Sequence, residues 1–406
     1  MTALMVSPEP PYPLQGGGAF RIASLLHFFA RIADVDLILI SESGTPALVP
    51  AGLVRSQQVI PLPYHSRHSA ARYFRNARRA IKGVPPLIER VGGLGDAIQR
   101  AIAGRHYDFG IVEHFWCAPY IEQLSGCCDT TILDLHNIES VLDERCAAVT
   151  SGLIRAGHSR FASAYRRLEA DLLPRYSMVL APSQEDAATA RRIAPSAKVE
   201  IYPNSLPWIK LPQIADSPCL VFSGNFEYHP NIDAVAFLVR DIWPVIQRSC
   251  PGVRLRLVGR GDRYIRHLIP RGSAAQTGIE VTGPVEDALT EIAQARVVVA
   301  PLRAGSGTRI KILEAWAAAR CVVATPLAAE GLDTRNGTNI SLAASASDFA
   351  AEVVRLLGDG PARESIGSHG RATFEACYTW KNVWKTLYII LQLTKQPRVN
   401  GYTGEN

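Results

Sequence analysis

The sequence lacks any long apolar run. Its longest apolar stretches, 35–40 and 297–302, have the length of a strand, whereas a membrane-spanning helix needs about 18–20 apolar residues. The N-terminus carries neither a basic region nor an apolar core before its prolines, so we expect no secretory signal. These absences predict a cytoplasmic protein and leave peripheral association with the inner face of the cell membrane as a hypothesis.

Metal-binding patterns are also missing. The eight cysteines form no Cys-x-x-Cys pair, no Cys/His cluster has zinc spacing, and there is no Asp-x-Asp triplet. Cysteines scattered in this way are typical of small buried side chains in a reducing compartment. We therefore expect no metal ion and no disulfide framework.

Acidic residues are absent from Ser43 to Ile88, in a chain of net charge +6. The cations in this window are Arg55, Arg67, Arg72, Arg75, Arg78, Arg79 and Lys82. Residues 55–82 therefore predict a surface for an anionic membrane or another phosphate-bearing partner, while a solvated helix face stays open as the alternative. Tyr73 and Phe74 lie in this stretch without a recognisable nucleic-acid module, and we expect no nucleic-acid partner.

Short apolar runs alternate with helical patterns along the whole chain, which predicts an α/β protein with two doubly wound, Rossmann-like domains. The predicted strands are 3–6, 35–40, 57–62, 108–113, 130–135, 177–181, 218–223, 253–258, 278–282, 296–301 and 321–325. The predicted helices are 19–31, 69–82, 138–148, 160–174, 231–248, 285–294, 308–319, 347–357 and 379–394. The expected division is 1–204 for the first domain, 205–217 for a proline-rich linker, 218–378 for the second domain, 379–394 for a final helix and 395–406 for a polar tail.

The most informative segment is 299–319, where a strand ends and a helix begins across a glycine-containing turn. The turn consists of Gly305, Ser306, Gly307 and Thr308, and Arg309 and Lys311 follow in the first helical turn. Basic residues oppose the helix dipole at that position, and a bound diphosphate would explain them. A plain connection with exposed basic residues is the alternative.

Glu314 stands alone among apolar neighbours in the same helix, and the vicinal hydroxyls of a ribose would be a suitable partner for it. Its alternative role is an ordinary surface pair with Lys311. The segment does not match a Walker A loop, and 258–262 lacks the third glycine of a dinucleotide fingerprint. Oxidoreductase chemistry is therefore poorly supported.

An ordered set of motifs now becomes recognisable. Its members are Phe222-Ser223-Gly224-Asn225-Phe226 through Asn231, Val281 through Asp287, Pro301-Leu302-Arg303 through Ala315, Ala329 through Leu332, and, in the first half, Gly16 to Gly18 and Asp134 to Ser140. The set resembles the retaining, nucleotide-sugar-dependent glycosyltransferases of family 4, which have the two-Rossmann GT-B architecture. The resemblance is strongest over 218–335.

The resemblance implies a role for each candidate residue. The diphosphate of the donor would contact Gly17, Gly18, Gly224, Arg303, Gly305, Ser306, Gly307, Thr308, Arg309 and Lys311. Glu314 would bind the ribose, and His136 and His114 would be the catalytic candidates, with structural histidines as the alternative. Glu139 is interpreted as an acid that complements a helix dipole.

Two departures from the family pattern are visible. Ser306 stands where many members carry the first glutamate of a Glu-x7-Glu pair, and the segment 224–229 lacks the Arg and Lys found there in many members. Charge compensation of the phosphates would then depend on Arg309, Lys311 and Arg303.

The implied reaction is transfer of a sugar from a nucleoside-diphosphate sugar to an acceptor hydroxyl with retention, without a metal or another cofactor. The acceptor would be a sugar, a lipid-linked molecule or a glycan in cell-surface polysaccharide or glycolipid assembly. Two alternatives stay open. A nucleotide-sugar epimerase would isomerise the donor alone, and a non-catalytic nucleotide-sugar-binding subunit would bind the donor without releasing nucleotide.

Overall fold

The computed structural model describes residues 1–42, 44–63, 69–306 and 310–392, and within 69–82 only the backbone of 69–73, 76 and 80. The chain forms two compact units. The first comprises Met1–Asn204 together with the described residues from Trp384 on, and the second comprises Ser205–Val383. No helix in these described ranges is long and apolar enough to cross a bilayer.

The first unit is built on a parallel seven-stranded sheet in the order β3-β2-β1-β4-β5-β6-β7. Its strands are β1 (Thr2–Ser7), β2 (Asp34–Ser41), β3 (Ser56–Pro61), β4 (Tyr107–Glu113), β5 (Cys128–Asp134), β6 (Met178–Ala181) and β7 (Val199–Ile201). Its helices are α1 (Gly17–Ala30), α2 (Ser69–Lys82), α3 (Pro86–Gly92), α4 (Gly95–Ile102), α5 (Ile121–Leu124), α6 (Glu139–Ala148), α7 (Gly152–Leu172) and α8 (Gln184–Ile193). The central strands are nearly continuous apolar runs because helices cover both faces of the sheet.

The second unit repeats this plan with a parallel six-stranded sheet in the order β10-β9-β8-β11-β12-β13. Its strands are β8 (Ser217–Ser223), β9 (Arg254–Val258), β10 (Ile279–Gly283), β11 (Ala295–Ala300), β12 (Val322–Ala324) and β13 (Ser341–Leu342). The helices that follow Ser205 are α9 (His229–Phe237), α10 (Trp243–Ser249), α11 (Ala274–Thr277), α12 (Ala288–Ala293), α13 (Ile310–Ala317), α14 (Pro326–Ala329), α15 (Ala346–Gly358), α16 (Gly360–Cys377) and α17 (Trp380–Ile390).

The structure contains all eleven predicted strands, and differs from the sequence prediction mainly in the shorter and more polar elements. The strands β7 and β13 have only three and two residues, too few to give a periodic signal. The helix predicted over 231–248 is divided into α9 and α10 by a π-helical turn, Leu238–Ile242. The helix α16 was not predicted, because its glycines and polar residues hide its apolar stripe.

The predicted linker contains neither helix nor strand from 207 to 216, and it is held to the second unit. Arg320 donates to the carbonyl of Ile214 at 2.6 Å, and Arg371 donates to that of Ile209 at 2.7 Å. The final helix α17 continues into the first unit, where the indole N–H of Trp384 donates to the carbonyl of Ser24 at 3.1 Å. The predicted polar tail 395–406 lies outside the described residues.

Helix α13, which carries Lys311 and Glu314, is fixed by a close packing contact with α16. The indole N–H of Trp316 donates to the carbonyl of Asn339 at 2.8 Å, and the bare Cα of Gly370 lies against the indole ring. A Cβ at Gly370 would overlap that ring. The absence of a side chain at this position therefore lets α16 support α13.

We expect Gly370→Ala to lower the free energy of unfolding by about 1–3 kcal/mol, because the added methyl group overpacks a filled interface. At about 2–4 °C per kcal/mol, the loss is measurable as a lower Tm. Gly358→Ala at the end of α15 is the matched control, since a Cβ there meets nothing within 4 Å. Equal midpoints for the two variants would contradict the packing argument.

Candidate functional site

In each sheet the direction in which successive strands are added reverses once. The reversal lies between β1 and β4 in the first unit and between β8 and β11 in the second. Ligands of open parallel sheets bind outside the carboxyl ends of the strands at such reversal points. The described candidate residues lie at these two edges. The first edge carries Gly17, Gly18, His114 and His136, and the second carries Gly224, Arg303, Gly305, Ser306, Lys311 and Glu314. Gly307, Thr308 and Arg309 lie outside the described residues.

The first edge begins with two aligned carboxyl groups. Strands β4 and β5 pair in parallel with Glu113 opposite Asp134, and both side chains are fully buried. The backbone N–H of His114 donates to the carbonyl of Asp134 at 3.0 Å. This register brings His114 and His136 together, although 22 positions separate them in the sequence.

The two histidines form a stack of rings. The centroids of His114 and His136 are 3.5 Å apart, and the indole of Trp116 stacks on the opposite face of His114 at 4.4 Å. His114 has a positive φ of 64°, which a residue with a side chain rarely adopts. Both of its ring nitrogens are buried without a hydrogen-bond partner among the described residues, which marks this edge as a functional candidate.

The imidazole of His136 contacts the buried carboxyl group of Glu113. Its Nε2 lies 3.0 Å from Oε2 of Glu113. Burial, with further contributions from His114 and Arg21, lowers the pKa of His136 well below its usual value. Burial and the neighbouring Asp134 raise the pKa of Glu113 well above its usual value. Both shifts favour the uncharged form of each group, an imidazole beside a carboxyl group.

Arg21 compensates the second carboxyl group. Its Nε and Nη2 donate to the two oxygens of Asp134 at 2.8 and 2.5 Å, and its Nη1 donates to the carbonyl of Tyr202 and to Oδ1 of Asn204. The side-chain ligands of Glu113, Asp134 and His136 lie within 4.8 Å of one another, close enough to hold a cation. The guanidinium, however, already occupies both oxygens of Asp134.

The glycine loop lies against the same histidines. Helix α1 begins at Gly17, after Gly16 with a φ of 86°, and no side chain caps its first turn. A Cβ at Gly18 would overlap the carboxylate of Glu9 and lie 3.7 Å from Nε2 of His114. Glycine at this position therefore leaves room for the carboxylate of Glu9 beside the start of α1.

Glu139 lies in the first turn of α6, where the sequence interpretation placed it. It is also buried, and it accepts a hydrogen bond from Nε1 of Trp116 at 3.0 Å. Burial, followed by the charges of Glu169 and Asp143, raises the pKa of Glu139 to about 8. This burial could not be inferred from the sequence, because the residues that bury Glu139 come from other elements of the fold.

The second edge is organised around the ammonium group of Lys311. Nζ donates to Oδ1 of Asn231 at 2.9 Å and lies 4.1 Å above the ring of Phe222. A Cβ at Gly224 would come within 3.2 Å of the same Nζ. Asn231 belongs to the motif noted in the sequence, but its contact with Lys311 could not be inferred there.

Main chain forms the floor of this edge. Gly259, with a φ of 142°, follows β9 and lies directly against the carbonyl of Gly224. A side chain at Gly259 would overlap that carbonyl group. The end of β8 can therefore approach a ligand without an intervening side chain.

The remaining candidates of the second edge have different environments. Burial raises the pKa of Glu314 to about 7, against the opposing effect of Lys311 one turn earlier. Arg303 makes two hydrogen bonds to Asp233, at 2.6 and 3.0 Å. Gly305 has a φ of 116°, and Ser306 is buried. Lys311 and Glu314 are thus together on α13, whereas Arg303 is already paired.

Comparison with known proteins identifies the architecture. Residues 217–359 match the family model described as Glycosyl transferases group 1. A Klebsiella pneumoniae protein, described as an uncharacterized 44.6 kDa protein in the cps region, is 20% identical over 173 residues. That match spans 42% of this chain and 45% of the relative, less than half of its length.

Solved structures resemble the chain over nearly its full length. Sucrose-phosphate synthase from Thermosynechococcus elongatus has a TM-score of 0.74 at 15% identity, covering 96% of this chain and 98% of its own. Anabaena HepE in complex with UDP and glucose has a TM-score of 0.63 at 14% identity, with coverages of 97% and 100%. Trehalose-6-phosphate synthase OtsA has a TM-score of 0.67 at 13% identity, with coverages of 98% and 100%. The chain has the GT-B fold, and the family-model match supports a glycosyltransferase of this type.

The raised pKa of Glu139 predicts a pH-dependent stability. The folded-state value of about 8 lies above the ordinary 4.5, so the folded protein binds more protons between these pH values. The free energy of unfolding contributed by Glu139 therefore falls as pH rises from about 4.5 to about 8. Glu139→Gln cannot ionise, and its Tm relative to wild type should increase steadily over this range.

Thermal unfolding at half-unit pH steps measures this difference. Glu144→Gln is the matched control, because it removes an exposed glutamate from the same helix, whose carboxylate pairs with Arg166. Parallel Tm curves for wild type and Glu139→Gln would show that Glu139 does not carry the buried ionisation.

Proposed function

We propose that the protein is a retaining glycosyltransferase, similar to family 4, which transfers a sugar from a nucleoside-diphosphate sugar to an acceptor hydroxyl without a metal ion. The observation that carries the proposal is the arrangement of Lys311 and Glu314 beside the main-chain floor of Gly224 and Gly259. A cation, a partly buried acid and exposed main chain are the groups that a nucleoside diphosphate requires.

The diphosphate would bind to Lys311 and to the N–H groups at the start of α13. Arg309, a candidate from the sequence analysis, would also contact it. The ammonium group is held by Asn231 and by the ring of Phe222, so its position is set before the ligand arrives. A fixed cation stabilises the diphosphate more as negative charge develops on it, which favours the transition state. We propose that this charge stabilisation replaces a metal ion.

Glu314 would accept hydrogen bonds from the ribose hydroxyls. It lies three residues after Lys311 and therefore on the same side of α13. Burial raises its pKa to about 7, and two hydroxyl donors would favour the ionised form that burial disfavours. Ser306 is buried and supplies no carboxylate, so a sugar contact made by glutamate in many relatives would here fall to other groups.

The histidine stack of the first unit would contact the transferred sugar and the acceptor. In the proposed step the bond between the anomeric carbon and the diphosphate oxygen breaks, and a bond forms from the acceptor oxygen to the same face of the sugar. The acceptor proton passes to the departing diphosphate. His136, neutral and held by Glu113, would orient the hydroxyl groups by hydrogen bonding rather than carry charge.

We propose that the donor carries a uridine nucleotide and that the reaction serves cell-surface polysaccharide assembly. Anabaena HepE, of similar fold, was solved with UDP and glucose, and the Klebsiella pneumoniae relative is encoded in a cps region. The acceptor would be a sugar, a lipid-linked molecule or a glycan.

Lys311→Ala should weaken binding of the donor nucleotide by about 1–3 kcal/mol, or about 5- to 150-fold in Kd, because charge-assisted hydrogen bonds are lost. Titration calorimetry with UDP, GDP, ADP, CMP, dTDP and their sugars identifies the nucleotide and measures this loss. Lys210→Ala, an exposed lysine of the same unit, is the matched control. Equal Kd values for wild type and Lys311→Ala would refute the phosphate assignment.

His136→Ala should leave donor affinity nearly unchanged and lower the rate of transfer or of donor hydrolysis. Nucleotide release measures the rate, and NMR of the glycosidic product reports whether the anomeric configuration is retained. A wild-type rate in the variant would move the catalytic role to another residue. An isomerised sugar nucleotide formed from donor alone would replace the proposal with an epimerase.

A further inference from the structure

Helix α2 exposes apolar and basic side chains on one side. Phe74 and Ile81 are 71% and 78% exposed, although large apolar side chains are usually buried. They are seven residues apart and thus nearly aligned along the helix, and Arg78 and Lys82 lie exposed beside them. The described part of α2 therefore presents an exposed strip in which apolar and basic side chains alternate.

The beginning of α7 extends the same surface. Leu153 and Ile154 are 82% and 63% exposed in its first turn. Arg160 lies seven residues after Leu153, on the same side of the helix, and its Nη2 donates to the carbonyl of Ile81 at 3.0 Å. That hydrogen bond joins α7 to the C-terminal end of α2. We call Phe74, Arg78, Ile81, Lys82, Leu153, Ile154 and Arg160 the basic–apolar surface.

The charge of this surface has one sign. Neither 69–83 nor 150–168 contains an Asp or Glu, so α2 and the part of α7 up to residue 168 carry cations without interspersed acids. The structure also reduces the number of cations within residues 55–82 that can belong to this surface. Arg55 is paired with Asp36 on β2, and Arg79 is buried against Glu89, so these two cations do not contribute.

We propose that the basic–apolar surface docks on an anionic phospholipid membrane. Cations beside exposed aliphatic and aromatic side chains suit a membrane interface, where the apolar groups enter the acyl boundary and the cations meet lipid phosphates. A nucleic acid would use the cations but would leave Ile81, Leu153 and Ile154 in water. The lipid membrane is therefore the occupant that both properties of the surface favour.

Vesicle sedimentation tests the proposal on the full chain. The protein is mixed with vesicles of phosphatidylcholine alone or with about 30% phosphatidylglycerol, at low and at physiological salt. We expect binding to the anionic vesicles, weakening as salt rises because exposed charges are screened. Equal binding to both vesicle types, or no binding to anionic vesicles at low salt, would overturn the proposal.

Matched variants locate the surface. Arg78→Glu/Lys82→Glu should lower the apparent binding constant by at least about tenfold. Arg192→Glu/Lys198→Glu changes the net charge equally, at exposed positions of α8 and the loop after it, and should bind nearly as wild type. Equal losses in the two variants would mean that only net charge matters, and would overturn the assignment.

The apolar contribution has its own pair of variants. Ile81→Ser/Leu153→Ser should reduce vesicle binding at physiological salt, whereas Leu48→Ser/Ile389→Ser, at other exposed apolar positions, should not. Wild-type binding by the first variant, together with tight binding to duplex DNA, would replace the membrane with a nucleic acid. Donor titration on the same variants is independent of vesicle binding, so failure here leaves the proposed transfer reaction standing.

Discussion

The buried guanidinium of Arg21 is the group on which the first unit depends. Helix α1 places it beneath the carboxyl ends of β4 and β5, where it neutralises Asp134 with two hydrogen bonds. Its remaining donors hold the carbonyl of Tyr202 and the side chain of Asn204, the last residue before the second unit. Without this cation, two adjacent carboxyl groups would lie in an apolar interior with no compensating charge.

Burial and the charge of Arg21 together shift the pKa values of the groups at this edge. Burial raises the pKa of both Glu113 and Asp134, the charge of Asp134 raises that of Glu113 further, and the guanidinium of Arg21 opposes both shifts. His136 in turn lies beside a carboxyl group that favours the neutral state, and its burial disfavours the imidazolium. His136 is therefore favoured as an uncharged imidazole, which can take part in hydrogen bonds without adding a positive charge to this edge.

The sequence predicted elements whose signals are local. Strands of the two sheets were visible as apolar runs, and Lys311 with Glu314 could be recognised because one helical turn places both. The partners of these residues were not visible. Arg21 meets Asp134 across 113 positions, and Asn231 meets Lys311 across 80, so only the strand order brings them together. The burial of Glu139 was not visible for the same reason, because it comes from Trp116 and from the packing of α6 on α7.

The contact between Gly259 and the carbonyl of Gly224 has a consequence for divergence within this fold. A floor made of main chain keeps its shape while side chains elsewhere are exchanged, provided that the two glycines remain. Solved structures at 13–15% identity still superimpose over nearly the whole chain. Sequence drift can therefore alter the side chains around this edge of the second unit while its main-chain floor stays geometrically constant.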